Sequence, residues 1–263
     1  MAQPTDIQSV PSPALQPNKR AIIVGASSGI GAALARRLAA EGYHLALLSR
    51  RADRLAALCE EINAKAGEVR AIFYVHDVTD YERVPGLLQE ISASLGGLDL
   101  FIYSSGIVFP SGMKHYEFEK DRRVTEVNYL GALAWLNPVA GMFYRQKAGQ
   151  IVGISSVAGE RGRVGNPSYN ASKAALSCYL ESLRNRLTRR GVHVLTVKPG
   201  YILSEMTSGR KNLYFAISSE RAAGAICKAI HQRKQVIYTA SIWWLIMLAV
   251  RNIPSIIFRR LSF

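Results

Sequence analysis

The chain has 263 residues, of which 49% are hydrophobic and 20% charged, with a formal net charge of +14. That is enough apolar chain for one large α/β domain and excludes disorder of the whole. Cys59, Cys178 and Cys227 stand far apart, with no C-x-x-C pair and no histidine at ligand spacing; this excludes a disulfide framework or a metal site and leaves a reducing, cytoplasmic compartment as the expected one.

The start, MAQPTDIQSVPSPALQPNKR, has no continuous apolar stretch, so it does not read as a secretory signal, and residues 1–18 are expected to be a disordered arm. From residue 19, short β-branched and aliphatic runs alternate with longer amphipathic segments: AIIVG, a helix to Glu41, HLALLSR, a second helix, AIFYVHD, a third helix, then LDLFIYSSG. The pattern continues with a long helix around Val124 to Arg145, the strand QIVGIS, a helix from about Tyr169 to Arg189, HVLTVKP, a helix near Glu220 to Arg233, and QVIYT. Such alternation predicts a doubly wound α/β domain over residues 19–240, with a seven-stranded, mostly parallel sheet covered by helices on both faces.

VGASSGIGAALA sets Gly25, Gly29 and Gly31 between the first strand and its helix, with Ser27, Ser28 and Ile30 among them. A sharp turn there lets a pyrophosphate approach backbone N–H groups at the positive helix end, so this is the expected dinucleotide cradle. The second strand ends in Ser49, Arg50 and Arg51 with no acidic residue, which favours a 2′-phosphate and therefore NADP(H) over NAD(H). One of the two arginines is expected only to flank the next helix. Asp77 and Val78 end the third strand, where Asp77 or Thr79 could equally cap a helix. Ser104 and Gly106 end the fourth.

Tyr169 and Lys173, in SYNASKAAL, project one turn apart from one helix face. An ammonium near a phenol favours the phenolate and makes the tyrosine a usable acid/base for a carbonyl or alcohol oxygen. Ser155 and Ser156 end the strand before that helix, and Asn128 lies upstream in TEVNYLGAL. Bland roles exist for each singly: a strand-end cap for Ser156, a buried amide satisfied by backbone for Asn128.

Together these motifs resemble the short-chain dehydrogenase/reductase superfamily over residues 19–239, with a Rossmann-type sheet. The resemblance implies that Asn128, Ser156, Tyr169 and Lys173 are catalytic, with Asn128 holding a water on the proton path and Lys173 also holding the nicotinamide ribose. It implies that Asp77 and Val78 contact adenine, that Pro199, Gly200 and Ile202 border the nicotinamide, and that the chain forms a homo-oligomer. Tyr103-Ser104-Ser105-Gly106 departs from the family's N-N-A-G, which removes amides that would bridge this strand to its neighbours. The loop from Tyr201 through Phe215 reads as a substrate lid, with Tyr201, Met206 and Tyr214 as pocket liners.

The serine loop SSVAGERGRV and the ending IPSIIFRRLSF are similar to those of reductases acting on a polyprenyl-phosphate-linked keto-pentose in bacterial cell-wall synthesis. This implies a lipid-linked ketone, with Arg161 and Arg163 facing its phosphate or else solvated. A soluble carbonyl substrate and a nonenzymatic NADP(H) sensor are the alternatives.

The basic residues are spread along the chain without a nucleic-acid motif, so no nucleic-acid partner is expected. In residues 241–263 the apolar run from Ser241 to Val250 is too short to span a bilayer. With Trp243 and Trp244 as anchors, and no acidic residue after Glu220, the tail is expected to lie at the inner membrane face, to be buried against a second subunit or to cover the cleft.

Overall fold

The computed structural model of the protein describes residues 19–109, 116–209 and 213–261; the arm 1–18 read from the sequence lies outside them. In chain order the first half comprises β1 (Arg20–Val24), α1 (Gly29–Ala40), β2 (His44–Ser49), α2 (Ala52–Ala66), β3 (Ala71–Val75), α3 (Val84–Leu95) and β4 (Leu100–Tyr103). Then follow α4 (Phe118–Thr125), a π turn (Glu126–Leu130), α5 (Gly131–Gln146), β5 (Gln150–Ile154), α6 (Pro167–Leu187) and β6 (His193–Lys198). The chain continues through β7 (Ile202–Leu203), β8 (Ile217–Ser218), α7 (Ser219–His231), β9 (Val236–Tyr238), α8 (Ile242–Asn252) and α9 (Ser255–Phe258).

The main sheet has the order β3-β2-β1-β4-β5-β6-β9, and every pairing in it is parallel. Its strands are apolar on both sides because both faces are covered. Along β1, Ala21 and Ile23 enter the core beneath α1, α2 and α7, whereas Ile22 and Val24 enter the core beneath α3, α5 and α6. The seven predicted strands are all present; β7 and β8, two residues each, form a separate small pair.

Two features position the site. The sheet order reverses between β1 and β4, so a crevice opens at their carboxyl ends. The predicted long helix is continuous from α4 to α5 but widens into the π turn, a device frequent at functional sites, and Asn128 sits in it.

The tail is helical and does not cross the domain as one rod: α8 stops before Pro254, which cannot continue it. Trp243, Met247 and Val250 recur at helical spacing and are buried with Val157, Tyr201 and Phe258. Trp243, expected as an exposed anchor, is therefore part of the core, while its neighbour Trp244 is half exposed. Among the described residues no helix is long and apolar enough to cross a membrane.

Candidate active site

Two adjoining hollows occupy the crevice. The first, a groove of about 340 Å³, is lined by Gly25, Ser27, Ser28, Gly29, Ser49, Arg50, Arg51, Asp77 and Val78. The second, a cavity of about 260 Å³, is lined by Ile30, Ser156, Tyr169, Lys173, Pro199, Gly200 and Ile202. Ser104 and Gly106 line both, where the two meet. Among the predicted site residues, Gly31 and Asn128 lie behind these walls.

The glycine turn depends on close approach. Gly25 takes φ +91°, and a Cβ on it would lie 2.5 Å from the Ser105 nitrogen, so the turn can sit against the end of β4. A Cβ on Gly31 would lie 2.1 Å from the Gly25 carbonyl oxygen. Gly31 therefore lets α1 begin directly beneath the turn and aims the helix end at the groove. Gly31→Ala is expected to cost about 1–3 kcal/mol of stability through this overpacking and to weaken dinucleotide binding; an unchanged denaturation midpoint would contradict that packing.

Arg51 spans the turn. It donates from Nε to Ser27 Oγ at 3.0 Å and from Nη2 to Ser28 Oγ at 2.6 Å. Its Nη1 also pairs with Glu205 at 2.7 Å, and Arg54 pairs with the same carboxylate. Hydrogen bonds from Arg51 and Arg54 hold the Glu205 carboxyl down at about 2. Arg50 lies 3.6 Å from Asp77. Both arginines thus line the groove, and Arg51 is also the residue that immediately precedes α2. At Asp77, burial raises the pKa, but hydrogen bonds from Thr79 and Arg123 outweigh it and hold the carboxyl below its ordinary value. Asp77 Oδ1 accepts from the Thr79 N–H at 3.0 Å, a local turn bond rather than a helix cap, because α3 starts only after Arg83. This cradle fits a dinucleotide: backbone free of Cβ atoms, a helix start, and two guanidinium groups in the groove wall.

In the second hollow, Tyr169 and Lys173 come from the first turns of α6, and the Lys173 ammonium lies 5.8 Å from the Tyr169 ring centre. Lys173 Nζ donates to the Ile154 carbonyl at 2.9 Å. Burial without a carboxylate partner lowers its pKa to about 8. An unfolded lysine titrates near 10.4, so between those values the unfolded chain holds more protons. Stability should therefore rise with pH through that window, and the cost of the buried charge should be fully present below it. Lys173→Met is accordingly expected to raise stability at neutral pH by about 1–2 kcal/mol while removing turnover. Melting curves of both proteins at neutral and alkaline pH check this: the difference should shrink as pH rises, and a constant difference would contradict it.

The two adjacent serines divide their work. Ser155 Oγ donates to the Lys173 carbonyl at 2.9 Å and is buried against α6. Ser156 Oγ accepts from the Ala158 N–H at 3.1 Å, as a cap, and also faces the cavity. Asn128 is fully buried: its Oδ1 accepts from the Ile107 N–H at 2.7 Å, and its Nδ2 donates to the Ile107 carbonyl at 3.0 Å and to Ser172 Oγ at 3.2 Å. It ties the segment after β4 to α6, one residue from Lys173, through the backbone satisfaction weighed from sequence.

The Tyr103 hydroxyl donates to the Val127 carbonyl at 2.7 Å in full burial and ties the end of β4 to the π turn. Tyr201 and Met206 line the cavity as expected; Tyr214 is exposed and does not. Residues 210–212 of the expected lid lie outside the described residues.

Arg161 does not face the cavity. Its guanidinium donates to the Val250 carbonyl at 2.5 Å and stacks 3.8 Å from the Phe258 ring centre, holding the tail. Arg163 does line the cavity, whose wall has no acidic residue among the described residues. Trp243 forms the wall opposite, with its indole against Gly200 where a Cβ would collide. The sequence offered the 243/247/250 spacing as the signal for this inward face.

Residues 19–213 match the family described as short chain dehydrogenase. An uncharacterised oxidoreductase of Mycobacterium tuberculosis is 34% identical over 227 residues, covering 86% of this chain and 89% of that protein. The 3-oxoacyl-(acyl-carrier-protein) reductase of Staphylococcus epidermidis is 31% identical, covering 73% of this chain and 78% of its own length. The solved structure of a short-chain type dehydrogenase/reductase from Mycobacterium marinum is similar at TM-score 0.74 and 26% identity, covering 84% of this chain and 93% of that one. With the groove, the cavity and the match over most of its length, the chain belongs to the short-chain dehydrogenase/reductase family and is an oxidoreductase of that family.

Proposed function

We propose that the protein is an NADP(H)-dependent reductase of a ketone carried on an amphiphilic, lipid-linked molecule. The observation that carries this reading is the junction of the two hollows: Ser156, Tyr169 and Lys173 on one cavity wall, meeting a groove bordered by Arg50 and Arg51.

When bound, the dihydronicotinamide supplies hydride to a carbonyl carbon. The chain handles the oxygen. Ser156 donates a hydrogen bond to the carbonyl oxygen and orients it, and Tyr169 gives the same oxygen its proton. The Lys173 ammonium favours the phenolate that remains. Asn128 acts through position: it fixes the start of α6 against the segment after β4.

The substrate class rests on the cavity wall. Val157, Tyr201, Met206 and Trp243 offer apolar surface to a chain or ring, and Arg163 offers a cation to a phosphate or carboxylate. Purified full-length protein should oxidise NADPH, and NADH more slowly, when given ketones of rising chain length with and without an anionic group. KM should fall with both features. Better turnover of small neutral ketones would assign a soluble substrate instead; tight NADPH binding without oxidation by any ketone would overturn the reductase reading in favour of a sensor.

A further inference from the structure

The inner face of α8 closes the cavity, but its outer face is left about half exposed. Ile242, Trp244, Leu245 and Leu248 on α8, with Ile256 and Ile257 on α9, are between 37% and 60% exposed. Both helices are pinned to one cluster, through Trp243, Met247 and Val250 on α8 and through Phe258 at the end of α9, so these side chains are left on the side away from the domain. Water-facing surfaces rarely concentrate large apolar side chains in this way without a binding role.

The charges around the patch are in positive excess. No acidic residue follows Glu220, and Arg259 and Arg260 are exposed with no ion pair among the described residues. Beside Trp244 runs a groove of about 670 Å³ with Arg184, Lys198, Lys234 and Arg251 in its lining and Glu181 as the acidic residue there. Buried Glu160 pairs with Lys198 and Arg251, and the groove keeps a positive excess after that carboxylate is counted.

We propose that the outer face of α8 and α9 docks on an anionic lipid bilayer. Trp244 and the aliphatic side chains enter the headgroup boundary, and Arg259 and Arg260 meet anionic headgroups. An 11-residue helix is only about 16 Å long against about 30 Å of hydrocarbon, so α8 lies in the interface plane. The hold of Arg161 on Val250 and Phe258, and of Glu160 on Arg251, keeps the helices rigidly on the domain. Docking through the outer face then sets the cavity, walled by Trp243 on the inner face, beside the lipid surface. The inference rests on the tail's surface and stands apart from the reductase reading.

Flotation of the NADPH-loaded full chain with vesicles tests it. The protein should float with phosphatidylcholine vesicles that contain phosphatidylglycerol, far less with phosphatidylcholine alone, and less as salt rises. The double substitution Trp244→Ser with Leu248→Ser should lower the partition coefficient at least about 10-fold; Arg259→Gln with Arg260→Gln should lower it on anionic vesicles alone. Turnover of a water-soluble ketone should be unchanged in both variants; failure of the wild type to turn over any ketone would count against the reductase reading while flotation still reports docking. Absence of flotation, or equal flotation of all variants, would overturn the proposal. A fall in oligomer size on Trp244→Ser with Leu248→Ser, with flotation unaltered, would assign the face to a second copy of the chain and overturn it as well.

Discussion

Tyr169→Phe is expected to lower kcat for ketone reduction by roughly 10²–10⁴-fold, the usual contribution of a positioned general acid, while NADPH affinity stays close to that of the wild type. The substitution removes one oxygen from the cavity wall and leaves the ring that packs at the start of α6. Lys173 keeps its bond to the Ile154 carbonyl, because that bond does not involve the tyrosine. Residual activity would come from the orientation supplied by Ser156. Turnover retained within a few-fold would remove Tyr169 from the chemistry, whatever the fold.

The second large effect is on cofactor choice. Arg50→Ala combined with Arg51→Ala is expected to raise KM for NADPH by roughly 10- to 100-fold, the equivalent of one strong hydrogen bond to a charged group lost, and to leave KM for NADH nearly unchanged. Arg51 is held beside the glycine turn by Ser27, Ser28 and Glu205. Arg50 is tied more loosely, to Asp77. Steady-state kinetics with both cofactors separate selectivity from damage. An equal loss with NADPH and NADH would show that the arginines hold the turn together rather than recognise the phosphate.

The sheet was legible because buried parallel strands must be apolar on both faces, and AIIVG or HLALLS can serve little else. The glycine turn was legible for a related reason: close packing of Gly25 on Ser105 and of Gly31 on Gly25 leaves no room for a side chain, so the spacing is imposed by geometry. What was hidden depended on contacts far apart in the chain. The bond from Tyr103 to the π turn needs Val127, 24 residues on, and nothing local to the strand announces it. Arg161 and Arg163 are two residues apart in one loop, yet one clasps the tail and the other lines the cavity. Trp243 and Trp244 were read alike because neighbouring residues share a composition; on a helix they point about 100° apart, and only the partner surface decides which is buried. Tyr214 was placed in the pocket from its loop position alone, and the loop carries it outward.

The central claim is that a ketone is reduced at the cavity wall that holds Ser156, Tyr169 and Lys173. The most direct measurement supplies the enzyme with NADPH deuterated at the transferred nicotinamide position, together with the best ketone of the chain-length series, and examines the product by mass spectrometry. The account predicts an alcohol carrying the label on its carbinol carbon, formed in proportion to the NADPH consumed and absent with Tyr169→Phe. An unlabelled product, or the same labelled alcohol from the Phe variant at an undiminished rate, would contradict it.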